Sequence, residues 1–86
     1  MYNRDALTDV FNRRRFYLDA KAMQHSYFSV VSMDMNGLKQ INDSKGHSVG
    51  DELIMGSAEC LSKCLAKYGK VYRTGGDEFI AIIKAD

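Results

Sequence analysis

Val71-Tyr72-Arg73-Thr74-Gly75-Gly76-Asp77-Glu78-Phe79-Ile80-Ala81-Ile82-Ile83 is the stretch whose reading decides the fold. Two runs rich in β-branched and aromatic residues, Val71 to Arg73 and Phe79 to Ile83, flank a glycine pair and two acids. That pattern predicts a β-hairpin with an acidic tip. Gly75 and Gly76 permit positive φ and carry no side chain, so the backbone at the tip can approach a bulky ligand closely. Taken alone, the same tip is also an ordinary turn bearing solvated acids.

Working outward, the segment before the hairpin, from about Val49 to Lys67, reads as a long helix with Leu53, Ile54, Ala58, Leu61 and Leu65 on its apolar face. Gly69 is expected to close that helix. Earlier still, Tyr27, Phe28, Val30, Val31 and Met33 form a short apolar run ending at Asp34, which predicts a strand buried on both faces. Asn36-Gly37 then opens a helical turn through Leu38, Lys39, Gln40 and Ile41, broken by Ser44-Lys45-Gly46-His47-Ser48. Asn12, a good cap residue, precedes helix formers with apolar positions at helical spacing, predicting a first helix over about 12 to 24. The order helix, strand, helices, strand, strand predicts an α/β layered fold in which the helices carry the chain from the first strand to the hairpin.

Composition narrows the function. The chain has 86 residues, 45% apolar and 27% charged, in the range of ordinary globular proteins, and it contains no proline, internal repeat or low-complexity segment that would mark a linker. One domain or part of one is expected, spanning 1–86. Lys plus Arg is 12 against 11 for Asp plus Glu, so net charge gives no general attraction to nucleic acid or an anionic membrane, and any anionic ligand must be held locally. No run approaches the roughly 20 apolar residues of a membrane span, and no signal peptide opens the chain, so a cytoplasmic location is expected. Cys60 and Cys64, four apart on one helix face with no second pair to complete a zinc site, read as buried core thiols. His25 and His47 have no partner at ligand spacing.

Asp34 at the end of the first strand and Asp77-Glu78 at the hairpin tip meet if the hairpin lies beside that strand. Three carboxylates gathered at a sheet edge repel unless a cation lies among them, and hard oxygen donors suit Mg²⁺. Directly after Asp34, the amides near Asn36, Gly37 and Leu38 open a helix, where the dipole and unpaired N–H groups favour a phosphate. Together these features point to a nucleoside triphosphate with Mg²⁺. Asp34 by itself reads equally well as a helix cap. An EF-hand is excluded, since Lys39 and Lys45 occupy the places that need Gly and Glu.

Gly75-Gly76-Asp77-Glu78-Phe79 is the signature of the GGDEF domain family of diguanylate cyclases, and the chain resembles that family in two further places. Asp5-Ala6-Leu7-Thr8-Asp9-Val10-Phe11-Asn12-Arg13-Arg14 is similar to the family's opening D-x-L-T-x-L-x-N-R-R. Asp34-Met35-Asn36-Gly37-Leu38-Lys39-Gln40-Ile41-Asn42-Asp43, followed by Gly46-His47 and Gly50-Asp51, resembles its nucleotide segment. The three motifs occur in the family's order and cover nearly the whole chain.

The resemblance implies an α+β sandwich of the ferredoxin-like, nucleotidyl cyclase and polymerase palm type, covering the front part of the domain. It implies condensation of two GTP into cyclic di-GMP with release of pyrophosphate, at the interface of a homodimer in a bacterial cytoplasm, with a sensory domain attached. Asp34, the Met35 carbonyl, Asp77 and Glu78 would bind Mg²⁺, with Mn²⁺ as the other option, and Asp77 and Glu78 would be catalytic. Asn36, Gly37, Leu38, Gly75 and Gly76 would bind the substrate. Asn42 and Asp51 would read the base, because a carboxylate accepts from guanine N1–H and the 2-amino group whereas adenine N1 carries no proton.

The chain departs from the family at Ala66, Lys67, Tyr68 and Gly69, where many members carry an inhibitory Arg-x-x-Asp product site, so feedback through that site is not expected. The family also continues past residue 86 with a helix, further strands and basic residues that grip phosphate. Without that continuation Tyr27 to Met33 is expected to be an open apolar edge, and this piece alone to be unstable, oligomeric or strand-swapped. Two other readings stay open: a non-catalytic GTP- and Mg²⁺-binding or regulatory module, and a different nucleotidyl cyclase or polymerase-like activity on the same architecture.

Overall fold

The computed structural model describes residues 2–84. The elements run β1 (Phe11–Asn12), α1 (Arg13–Ala22), β2 (Phe28–Asp34), α2 (Leu38–Lys45), α3 (His47–Leu65), β3 (Gly69–Arg73) and β4 (Glu78–Lys84). The four strands form one sheet in the order β1-β3-β4-β2. β3 and β4 are the expected hairpin, and β4 lies antiparallel between β3 and β2. β2 and β3 are therefore parallel to each other, joined through α2 and α3, as the α/β reading requires.

Alternation along β4 assigns its side chains to two layers. Phe79 and Ala81 face α3, where Phe79 joins Val10, Leu38, Ile54, Ala58 and Val71 in the core, with Met33, Leu61 and Leu65 packed against it. On the other face Tyr72, fully buried, packs against Phe11 in a tilted arrangement and against Phe16 edge to face, at ring-centroid distances of 5.6 and 5.5 Å. α1 supplies Phe16 and is started by Asn12, whose side chain accepts a hydrogen bond from the Arg15 amide. Such a cap contributes about 1 kcal/mol.

Several expectations are corrected. β2 is not buried on both faces: it forms an end of the sheet, pairs only with β4 among the described residues, and leaves Val30 and Val31 exposed. Cys60 and Cys64 are exposed rather than core thiols, and Leu53 is also exposed, because α3 turns Ile54 and Ala58 toward the sheet. Gly69 does not close α3; it begins β3, where an added Cβ would lie 1.9 Å from the Ile82 carbonyl oxygen. Glycine there allows two strands to approach closely. Asn12, expected to start the first helix, also ends a two-residue strand β1 that runs parallel to β3, with Phe11 opposite Tyr72 and Asn12 opposite Arg73.

Candidate functional site

The antiparallel register of β2 and β4 sets Asp34 directly opposite Glu78. Partners in register point to the same face, so two carboxylates confront one another at the end of the sheet, an arrangement that is unfavourable without a compensating cation. Beyond the last pair, the Met35 amide donates to the Asp77 carbonyl at 2.9 Å, which ties the exit of β2 to the hairpin tip. Glu78 is further held by the Thr74 hydroxyl, which donates to its Oε1 at 2.6 Å.

The expected gathering of three carboxylates is not formed. Among the described residues no three His, Cys, Asp or Glu side chains are grouped to hold a metal ion. Asp77 precedes the strand and serves the junction through its backbone carbonyl, while its side chain is exposed. The donors that do come together are the Asp34 and Glu78 carboxylates with the Met35 backbone at the same strand end. They are hard oxygen groups, two of them charged, on a surface open enough to leave water on a cation, and they fit Mg²⁺ or Mn²⁺.

The turn after β2 places the proposed phosphate cradle beside this pair. Gly37 has φ +84°, a left-handed conformation that glycine adopts without strain, and α2 starts at the next residue. The Leu38 amide is not available to a ligand, since it donates to the Met35 carbonyl at 3.3 Å and its side chain is buried in the core. The amides of Asn36 and Gly37 have no partner among the described residues. At the hairpin, Gly75 and Gly76 do not use the positive φ that glycine permits. At Gly76 an added Cβ would meet nothing within 4 Å, so no neighbouring protein atom requires glycine at that position.

Asn42 and Asp51 are brought to one corner by the chain reversal at Gly46, which ends α2 and begins α3 with φ +90° and ψ 163°. Asn42 lies on α2 with its Oδ1 buried and without a hydrogen-bond partner, packed against Gly50, the residue before Asp51. Asp51 itself is exposed in the first turns of α3.

Sequence reasoning assigned no role to Arg73, Asp5 or Thr8, which brace the tip from behind. Arg73 donates from Nη2 to the Gly76 carbonyl at 2.9 Å and from Nη1 to Asp5 Oδ2 at 3.1 Å. The same oxygen accepts from the Thr8 amide at 3.0 Å and the Thr8 hydroxyl at 2.7 Å. Burial alone would raise the Asp5 carboxyl, but the hydrogen bonds from Thr8 and Arg73 outweigh it and hold the group below its ordinary value. The Asp-x-x-Thr spacing is a recognisable side-chain turn and signals the local half of this brace. On the far side of β3, the Tyr72 hydroxyl donates to Asp19 Oδ2 at 2.6 Å and Asp19 pairs with Arg15 at 2.8 Å. Burial and the neighbouring carboxylate push the Tyr72 phenol well above its usual range. A depression of about 530 Å³ adjoins that network, lined by Tyr27, Lys70, Tyr72 and Lys84. It lies toward the opposite end of β4 from Glu78, and its one carboxylate is already engaged, so the site is assigned to the tip instead.

Residues 2–85 match the family described as diguanylate cyclase, GGDEF domain. Diguanylate cyclase DgcM of Escherichia coli (strain K12) is 39% identical over 85 residues, covering 92% of this chain and 21% of that protein. The GGDEF domain of DgcB from Caulobacter crescentus, solved in complex with c-di-GMP, superposes with a TM-score of 0.86 at 28% identity over 96% of this chain and 52% of that one. Diguanylate cyclase SiaD from Pseudomonas aeruginosa, solved with its activator SiaC, gives a TM-score of 0.83 at 29% identity, covering 96% of this chain and 34% of that one. The chain thus spans about a fifth of the first relative and about half of the solved DgcB domain. The cyclase-type α+β fold expected from the sequence is the fold these neighbours share.

Proposed function

The chain belongs to the GGDEF domain family of diguanylate cyclases, and from that premise we propose that the protein condenses two GTP into cyclic di-GMP and releases pyrophosphate. In each of two equivalent steps the 3′-oxygen of one GTP forms a bond to the α-phosphorus of the other. The bond from that phosphorus to the bridging oxygen breaks, pyrophosphate departs with the electron pair, and the 3′-hydroxyl gives up its proton. The observation that carries this reading is the register pairing of Asp34 with Glu78, fastened by the Met35–Asp77 hydrogen bond beside the start of α2.

Asp34, Glu78 and the Met35 carbonyl would hold Mg²⁺ or Mn²⁺, which when bound supplies positive charge to the attacking and leaving oxygens. Asp77, exposed at the tip, is assigned to take the proton of the 3′-hydroxyl or to assist the cation. The amides of Asn36 and Gly37 receive phosphate oxygens, and the bare backbone at Gly76 lets the triphosphate lie close. Asn42 and Asp51 read guanine. One GTP per protomer makes a homodimer the active form, with a sensory domain setting the encounter of two protomers. No described helix is long and apolar enough to cross a membrane, and a bacterial cytoplasmic setting fits the GTP chemistry.

The test is titration of GTP with Mg²⁺ into the purified protein by calorimetry, with chromatography of the same mixture for cyclic di-GMP and pyrophosphate. Binding with both products is expected. Binding without product would instead identify a GTP- and cation-binding regulatory module, and absence of binding would overturn the assignment.

A further inference from the structure

One contact in the corner between α2 and α3 breaks two local rules at once. Glycine in a helix interior is less favourable than alanine, yet Gly50 stands within α3. Its neighbour Asn42 buries an oxygen with no hydrogen-bond partner, an uncommon state that calls for an explanation. The two irregularities are the same contact: a Cβ on Gly50 would lie 1.8 Å from Asn42 Oδ1 and 2.9 Å from its Cγ. Gly56 in the same helix shows the contrast, since a Cβ there would meet nothing within 4 Å. The helices cannot simply part to admit a methyl group, because the reversal at Gly46 joins them through one residue in a conformation open essentially to glycine alone. Departures from local preference of this kind concentrate where function requires them.

We infer that Gly50 is a specificity-determining positioning residue: the absence of its side chain seats the Asn42 carboxamide against α3 beside Asp51, so that the two polar groups face one purine base together. The inference rests on the reading of Asn42 and Asp51 as the guanine-recognising pair. A methyl group at position 50 drives the Asn42 side chain out of its seat, and Asp51 then reads the base without its partner.

The test compares Gly50→Ala, Asn42→Ala and the double variant in the full protein. Binding of GTP and of ATP, each with Mg²⁺, is measured by calorimetry, and melting temperature is measured alongside. Asn42→Ala is expected to lower the preference for GTP over ATP by at least about tenfold. Gly50→Ala is expected to lower it comparably, and the double variant no further than Asn42→Ala alone. Gly50→Ala should also melt lower than wild type, with Asn42→Ala in the same chain restoring stability by making room. Loss of preference in Asn42→Ala but not in Gly50→Ala overturns the role of Gly50 while leaving base reading by Asn42 intact. Unchanged preference in Asn42→Ala overturns the base reading and the inference built on it. If Gly50→Ala does not fold, the double variant decides: refolding with the affinities of Asn42→Ala supports the inference, and failure to refold overturns it.

Discussion

Replacing Asp5 with Asn removes the charge that holds Arg73 in place while keeping an oxygen for Thr8. The Asp5–Arg73 pair is neither free on the surface nor sealed, with side-chain exposures of 20% and 16%. Exposed pairs contribute about 0–1 kcal/mol, and breaking a buried pair by removing one partner costs about 3–5 kcal/mol. An intermediate cost of about 2 kcal/mol follows, which for a domain of this size lowers Tm by about 8–16 °C at pH 7. Because hydrogen bonds from Thr8 and Arg73 hold the Asp5 carboxyl below its ordinary value, its contribution is full above the unfolded value and is lost as pH falls through the folded one. Melting followed by circular dichroism should therefore show a large gap between wild type and Asp5→Asn at pH 7 that narrows as pH falls below the ordinary carboxylate value and Asp5 takes up its proton. A gap that stays constant from pH 7 into acid, or no gap at pH 7, would refute the assignment of the brace to this carboxylate.

Tyr72→Phe keeps the ring between Phe11 and Phe16 but removes the donor to Asp19, and should destabilise by about 1–2 kcal/mol in thermal melts. Since the folded phenol titrates above the unfolded one, wild type should lose stability as pH rises beyond about 10, and Tyr72→Phe should lack that part of the loss. Asp51→Ala is expected to reduce the preference for GTP over ATP by about 10- to 150-fold in competition binding, the range for hydrogen bonds to a charged group. Glu78→Gln should weaken Mn²⁺ binding, followed by electron paramagnetic resonance, and abolish product formation; an unchanged Mn²⁺ affinity would remove Glu78 from the cation site. β2 pairs only with β4 among the described residues and leaves Val31 exposed, which predicts self-association in sedimentation that Val31→Lys reduces.

Element types were legible wherever the signal is local. The β-branched runs around Gly75-Gly76 gave the hairpin, the cap at Asn12 the start of α1, and the glycine at position 46 the break before the long helix. The phase of α3 was not legible at Cys60, Cys64 and Leu53, because apolar residues lie around much of the helix and only packing against the sheet selects a face. β1 escaped notice for a related reason: two residues carry no periodicity, and its pairing with β3 joins positions some sixty apart.

For the site, the chemical inventory is legible along the chain: acids at Asp34, Asp77 and Glu78, glycines at the turns, polar groups at Asn42 and Asp51, and the family motifs that contain them. How these groups are used depends on the assembled fold. Strand register sets Asp34 against Glu78 and turns Asp77 into a backbone acceptor for Met35. Long-range packing brings Asp5 to Arg73 across 68 positions and presses Asn42 onto Gly50. Propensity and turn chemistry act over a few residues and are written in local order, whereas register and close approach depend on groups brought together only when the sheet and its helices assemble.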